Sequence, residues 1–253
     1  MIIDAHIHIT TNGKWFNTDF DASVITAIKQ MDNAKIDKAI VLNMTVLNDN
    51  LALARQLSNY DDRFFLFACL DFMHMDASNQ LEELVKEYGF AGLKIHPRIQ
   101  AIDPLNELLF PIYDKAIELN IPIVFDCFLQ SNTIALEKLH PYVYDKIAKK
   151  YPKLKIVIAH CGWPRIWDTY HVVKSNENVY LDISYILTKF SKTSLINDLS
   201  FMLEHLDQKV LYGSDFPENR IDNYIKEFIN MSRHLTQDKI DNICCNNITR
   251  ILE

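Results

Sequence analysis

The chain opens on IIDAHIHI, residues 2–9, an apolar run in which positions 4, 6 and 8 carry Asp4, His6 and His8. Side chains alternate along a strand, so Asp4, His6 and His8 are expected on one face, and Ile3, Ala5, Ile7 and Ile9 on the other. Two imidazoles on one face of one strand can serve a single ion, since neutral imidazole is a good ligand for zinc, manganese or iron.

Seven further runs rich in Ile, Val and Phe read as strands: Lys38–Asn43, Phe64–Leu70, Ala91–His96, Ile121–Cys127, Lys155–His160, Val179–Ser184 and Lys209–Ser214. Between them lie segments of helical period: Ala22–Lys35, Asn50–Asn59, Ser78–Tyr88, Pro104–Asn120, Thr133–Tyr151, Ile166–Lys174, Ser194–Leu206 and Asp222–His234. Strands that alternate with helices are parallel, because parallel neighbours need a crossover. Runs such as IVIAH and IPIVFD are near-continuously apolar, as expected of strands covered on both faces. The pattern predicts an α/β fold: a single (β/α)8 TIM barrel domain over residues 1–253, with an additional C-terminal helix within Asp238–Leu252. With 253 residues the chain has the usual length for that fold. Its longest loop, Thr10–Asp21, could partly cover a site.

The chemistry-bearing residues share one address. His6 and His8 end the first strand, His96 the fourth, Asp126 the fifth, His160 the sixth and Asp215 the eighth. In such a barrel the C-terminal strand ends form the active-site face. Asp215, in YGSDFP, can touch an ion and take a proton from water. The competing reading, a helix cap, is weaker because the next helix starts near Ile221. His160, in VIAHCGWPR, is either a ligand or a hydrogen-bond partner of the reacting water. Lys94 and His96 share a face in GLKIHPR, and a lysine inside a barrel calls for a carboxylate or a substrate anion. Lys94, His96 and Arg98 are therefore candidates for an anionic substrate group, and Trp163 for a pocket wall. His74, His140, His171, His205 and His234 read as surface or structural residues, and the parity of Asp182 on its strand stays open.

Composition narrows the classes. Lys and Arg number 26 against 33 Asp and Glu, a net charge of −7, which argues against a nucleic-acid surface. The five cysteines form no CxxC pair, so a disulfide framework is not expected and a cytoplasmic setting is. A secretory leader is not expected either, because Asp4, His6 and His8 interrupt the first apolar run at once. A membrane span is excluded by the lack of a long apolar run.

The ordered set DAHIH, GLKIHPRIQ, IVIAHCGWPR, NVYLDIS and LYGSDFPEN resembles the amidohydrolase-related family of the amidohydrolase superfamily. These are metal-dependent TIM barrels that include aminocarboxymuconate-semialdehyde-decarboxylase-like enzymes. The resemblance covers nearly the whole chain, including the closing LTQDKIDNICCNNITRILE. It implies that His6 and His8 bind a divalent metal, that Asp215 ligates it and acts as base, and that His160 ligates it or orients water or substrate. There is one departure: the family usually carries a histidine at the end of the fifth strand, where this chain has Asp126 in IPIVFDCF. Asp126 is then either an oxygen ligand, which would suit manganese, or a partner for Lys94.

The expected function is a metal-dependent hydrolase, zinc first and manganese second, acting on a small carboxylated amide, lactone or ester. Asp215 and His160 are its expected catalytic residues, and His6, His8, Asp126, His160 and Asp215 its expected ligands. The alternatives are a non-oxidative decarboxylase on the same site, or a degenerate barrel that binds a ligand or a partner. A phosphoesterase or nuclease is disfavoured by the absence of a glutamate in GLKIHP and by the acidic charge. The expected partner is a small anionic substrate, with no nucleic acid and no membrane, and a homodimer is the base-rate assembly.

Overall fold

Strands β1 (Ile3–Ile7), β2 (Lys38–Leu42), β3 (Phe64–Ala68), β4 (Gly92–Ile95), β5 (Ile123–Phe125), β6 (Ile156–Ile158), β7 (Val179–Asp182) and β8 (Val210–Leu211) pair in sequence order, all parallel. The computed structural model describes residues 1–60 and 62–253. The sheet closes through Ala5 N donating to Tyr212 O at 2.8 Å, Asp215 N to His6 O at 2.8 Å and His8 N to Phe216 O at 2.7 Å. With helices between successive strands, this is the expected (β/α)8 barrel. Each strand is shorter than the sequence reading. His8, His96, Asp126, His160 and Asp215 therefore stand just past strand ends, on loops at one mouth of the barrel.

The crossovers are α1 (Val24–Ala34), α2 (Asn50–Leu57), α3 (Ala77–Tyr88), a one-turn α4 (Pro97–Gln100), α5 (Phe110–Glu118), α6 (Tyr142–Lys150), α7 (Ile166–Ser175), a one-turn α8 (Ile186–Lys189), α9 (Leu195–His205) and α10 (Ile221–Met231). Local chemistry sets their starts: the Ser23 hydroxyl accepts from Thr26 N and the Asp49 carboxylate from Ala52 N. Two expected helices begin late. The segment from Pro104 gives only a 3-10 turn, Glu107–Leu109, before α5. The segment from Thr133 gives a 3-10 turn, Leu136–Leu139, and Pro141 then opens α6. Neither α4 nor α8 was expected, because four residues carry no period to read.

Two apolar layers sandwich the sheet. The outer layer joins Ile7, Val41, Leu93, Phe125, Ile158 and Leu181 to the helices. The inner cluster holds Ile3, Ala5, Ile40, Leu42, Phe67, Val124, Val157 and Leu211 together with Ile248 and Ile251. Those last two belong to the closing segment, α11 (Gln237–Asp241), a π turn (Asn242–Asn246) and α12 (Asn247–Leu252), which plugs the barrel's lower end. Asn247 Nδ2 locks the plug to β8 by donating to Asp207 O at 2.6 Å and Val210 O at 2.8 Å.

The first strand departs from simple alternation. Asp4 pairs with Ala39 but Ile7 with Val41, so β1 has one extra residue in that stretch. Such a bulge re-aims side chains. Ile3 and Ala5 consequently pack in the inner cluster, whereas Ile7 and Ile9 pack outside it. The expected face shared by Asp4, His6 and His8 is broken. His6 and His8 turn into the cavity, while Asp4 lies behind β1 and accepts from Ser214 N at 2.9 Å and His6 N at 3.2 Å.

Gly92 shows how tightly the inside is filled. A Cβ there would lie 2.4 Å from the Phe67 ring. Gly92→Ala is expected to lower stability by about 1–3 kcal/mol in a denaturant titration, the usual cost of overpacking a close-packed core. Adding Phe67→Leu should restore part of the loss.

Candidate metal centre and active site

His8 Nδ1 lies 2.7 Å from the Leu42 carbonyl, which only accepts, so Nδ1 bears the proton and Nε2 a lone pair. His6 Nδ1 lies 2.8 Å from Asp182 Oδ2, which fixes the same tautomer. The two free Nε2 atoms stand 3.3 Å apart. Asp215 Oδ1 completes a triangle at 3.4 Å from His6 Nε2 and 3.5 Å from His8 Nε2. Three acceptors thus face one another with no proton between them, an arrangement that repels unless a cation lies within it. Four tetrahedral ligands about 2.0–2.1 Å from an ion stand roughly 3.3–3.4 Å apart, so the donor set fits a small divalent ion. Burial, opposed by Asp182 and helped by Lys94, pulls the His6 pKa down to about 4. The imidazole is therefore in the neutral form that ligation requires.

The supporting shell comes from β7 and the residues after it. Asp182 points inward: Oδ2 accepts from His6 Nδ1, and Oδ1 accepts from His160 N at 3.0 Å, Ser184 N at 3.0 Å and the Ser184 hydroxyl at 2.5 Å. Ser184 Oγ also lies 2.9 Å from His160 Nδ1 and 3.0 Å from His6 Nδ1. A second trio of metal-competent groups, His6, His160 and Asp182, shares His6 with the first. Its carboxylate is already occupied by these hydrogen bonds.

The backbone is bent to make this convergence. His160 has φ 56° and ψ 28°, Asp215 has φ 66°, and Tyr185 has φ 69° and ψ −39°. Left-handed backbone costs roughly 1–3 kcal/mol at a non-glycine residue and persists where its surroundings impose it. Gly213 allows the approach of β8 to β1, since a Cβ there would meet His6 Cβ at 2.9 Å.

Lys94, His96, Arg98 and Asp126 form the opposite wall. Of the two readings left open for Asp126, the pair with Lys94 is not formed. The α4 turn carries Arg98 back over the mouth, where Nε and Nη2 grip the two Asp126 oxygens at 2.6 and 2.7 Å. Asp126 Oδ1 also lies 3.5 Å from His96 Nε2 and 3.4 Å from His160 Nε2. His96 Nδ1 accepts from Ile99 N at 3.4 Å, which puts its proton on Nε2, toward Asp126. Burial, opposed by Asp126, drives the His96 pKa down to about 3. For His160 burial again disfavours the proton, but the hydrogen bond to Asp126 and the nearby charge of Asp215 prevail and raise its pKa. Lys94 Nζ is fully buried and has no hydrogen-bond partner among the described residues.

Two adjoining chambers open above these residues. The deeper, about 190 Å³, is lined by His6, His8, Lys94, His96, Asp126 and Asp215, among others. The outer, about 140 Å³, is lined by Arg98, Phe128, Gln130, His160, Tyr185, Asp215 and Glu218. Trp163 stands behind this wall, stacked on Phe128 at 4.7 Å. The Thr10–Asp21 loop does cover the site: Trp15 stacks on His8 at 5.0 Å and its Nε1 donates to Glu218 Oε1 at 3.2 Å. Ser184, Phe128, Tyr185, Trp15 and Glu218 were not legible as site residues, since serine, aromatic and loop glutamate residues are common everywhere. His74, His171, His205 and His234 are exposed and His140 half-buried, all away from the chambers.

Over residues 3–253 the sequence matches the family described as amidohydrolase. No curated protein matches it. Among solved structures, a probable 2-pyrone-4,6-dicarboxylic acid hydrolase from Acinetobacter baumannii is 18% identical, with a TM-score of 0.75 over 99% of this chain and 98% of that one. The 2,6-dihydroxybenzoate decarboxylase from Rhizobium is 18% identical, with a TM-score of 0.74 over 99% and 98%. A 5-carboxyvanillate decarboxylase from Novosphingobium aromaticivorans, complexed with manganese and a nitrobenzoic acid, is 18% identical, with a TM-score of 0.70 over 89% and 79%. At these identities the likeness establishes a shared fold.

Proposed function

The chain belongs to the amidohydrolase family, and on that footing we propose that it is a metal-dependent hydrolase of a small carboxylated amide, lactone or ester. The observation that carries the reading is the triangle of His6 Nε2, His8 Nε2 and Asp215 Oδ1, with sides of 3.3–3.5 Å and no donor inside it. We assign these three residues as the ligands, with zinc the first choice for so small a set and manganese, the metal in one neighbour, the second. A divalent ion held there supplies Lewis acidity toward a substrate oxygen and makes water acidic enough to lose a proton near neutral pH.

The chain's own residues do the rest. Lys94, buried and without a partner, holds the substrate carboxylate. Asp215 accepts the proton of the attacking water and returns it to the leaving group. His160, its Nδ1 held by Ser184, donates from Nε2 to the developing oxyanion in place of the longer, 3.4 Å contact with Asp126. Asp126, with both oxygens on Arg98, fixes His96 and His160 from behind rather than joining the ligands. The two adjoining chambers, about 190 and 140 Å³, suit a substrate at the small end of the roughly 300–1,000 Å³ usual for ligand pockets. The five free thiols suit a reducing, cytoplasmic setting.

Decarboxylation is the second reading, favoured by the raised pKa of His160, which suits a group that delivers a proton to carbon. Two of the neighbours are named as decarboxylases. The zinc- or manganese-loaded protein should be offered small carboxylated lactones, amides and esters together with hydroxybenzoates, in ¹⁸O-labelled water. Incorporation of ¹⁸O into product supports hydrolysis, and release of CO2 without it supports the lyase. Failure to bind either metal overturns both and favours a barrel that only binds ligands.

A further inference from the structure

The rim of the cavity carries a carboxylate that the proposed chemistry does not use. Glu218 lines both chambers, on the loop that follows Asp215. Its Oε1 accepts from Trp15 Nε1, and Trp15 in turn stacks on His8. Glu218 is exposed, whereas Lys94 lies fully buried within the deeper chamber. Arg98 is engaged elsewhere: Nε and Nη2 are on Asp126, and Nη1 donates to Gln130 O at 3.4 Å. The walls of the outer chamber include Phe128 and Tyr185, whose rings meet edge to face at 5.6 Å. The deeper chamber thus holds an unpartnered ammonium, and the outer one has aromatic walls and a carboxylate at its rim.

We infer that Glu218 is a specificity-determining residue: it selects planar monocarboxylates that carry a hydroxyl or other hydrogen-bond donor away from the carboxylate, and rejects dicarboxylates. The inference rests on the reading in which Lys94 takes the substrate carboxylate. A donor reaching the rim meets an acceptor in Glu218. A second carboxylate there meets a like charge, and like-charge placement acts against the wrong partner more than it strengthens the right one.

Calorimetric titration of the manganese-loaded protein with two matched pairs of acids tests this. The pairs are 3-hydroxybenzoate with isophthalate and 4-hydroxybenzoate with terephthalate, so both placements of the second group are covered. The wild type should prefer the hydroxy acid by about fivefold to tenfold in at least one pair, the scale of a partly solvated charge contact. Glu218→Gln keeps an oxygen for Trp15 Nε1 and removes the charge, so the preference should shrink to about twofold or less. Glu218→Lys should reverse it. An unchanged ratio in both variants, with binding of both acids lost in Lys94→Met, overturns the role of Glu218 and leaves the anchor standing. Binding of neither acid by the wild type, or full binding by Lys94→Met, overturns the anchor and this inference with it.

Discussion

His6→Ala is expected to purify without its divalent ion, while Asp126→Asn keeps it near stoichiometry. His6 contributes one of three converging donors, and its Nε2 faces both His8 Nε2 and Asp215 Oδ1. Its loss should exceed the roughly 10–100-fold that removal of an outer-shell partner costs. Asp182→Asn supplies that smaller effect, because Asp182 reaches the metal triangle through the Nδ1 of His6 rather than through a ligand atom of its own. Asp126 stands apart: Arg98 holds both of its oxygens, and Asn there retains an acceptor for one of those bonds. Elemental mass spectrometry of the purified variants, with chelator competition for affinity, gives the order. A loss in Asp126→Asn as large as that in His6→Ala makes Asp126 a ligand after all, and metal retained in His6→Ala rejects the triangle.

Much of this architecture was legible in the sequence. The eight apolar runs appear in order because strands covered on both faces must be apolar, and crossover helices must show a helical period. Addresses at the strand ends were legible for His6, His8, His96, His160 and Asp215, since a polar residue ending a buried run stands at one mouth or the other. Side-chain direction was harder. The bulge in β1 separates Asp4 from His6, and alternation alone puts them on one face. His160 and Asp215 reach the cavity through left-handed backbone, for which neither residue type gives a signal as glycine would. Asp182 needed its neighbours: only the register of β7 against β6 and β8 shows that Tyr180 and Asp182 look inward while Val179 and Leu181 look out. The Arg98–Asp126 pair depends on the single turn of α4, too short to have a period, so the sequence offered Asp126 only a metal ion or Lys94 as partner.

The buried Lys94 sets up the other large effect. Lys94→Met should weaken binding of carboxylate ligands by about 30-fold or more while leaving the unliganded protein at least as stable as the wild type. Burial lowers the pKa of Lys94, against the attraction of Asp126, Asp182 and Asp215, so its charge is held at a cost and without a hydrogen bond. Removing such a group relieves the unliganded fold, because a buried polar group without a partner destabilises it. The same removal harms the complex, where truncating one side of a buried charged pair typically costs about 2–5 kcal/mol. A lysine that served only the fold would do the reverse, lowering stability on its removal and leaving affinity for the carboxylate unchanged. Urea denaturation of the metal-loaded proteins, paired with calorimetric titration of benzoate, separates the two cases. Stability held and affinity lost identifies an anchor for the substrate's carboxylate. Stability lost by more than about 1 kcal/mol, with affinity intact, makes Lys94 a structural element of the barrel floor and sends the search for the anion site back to Arg98.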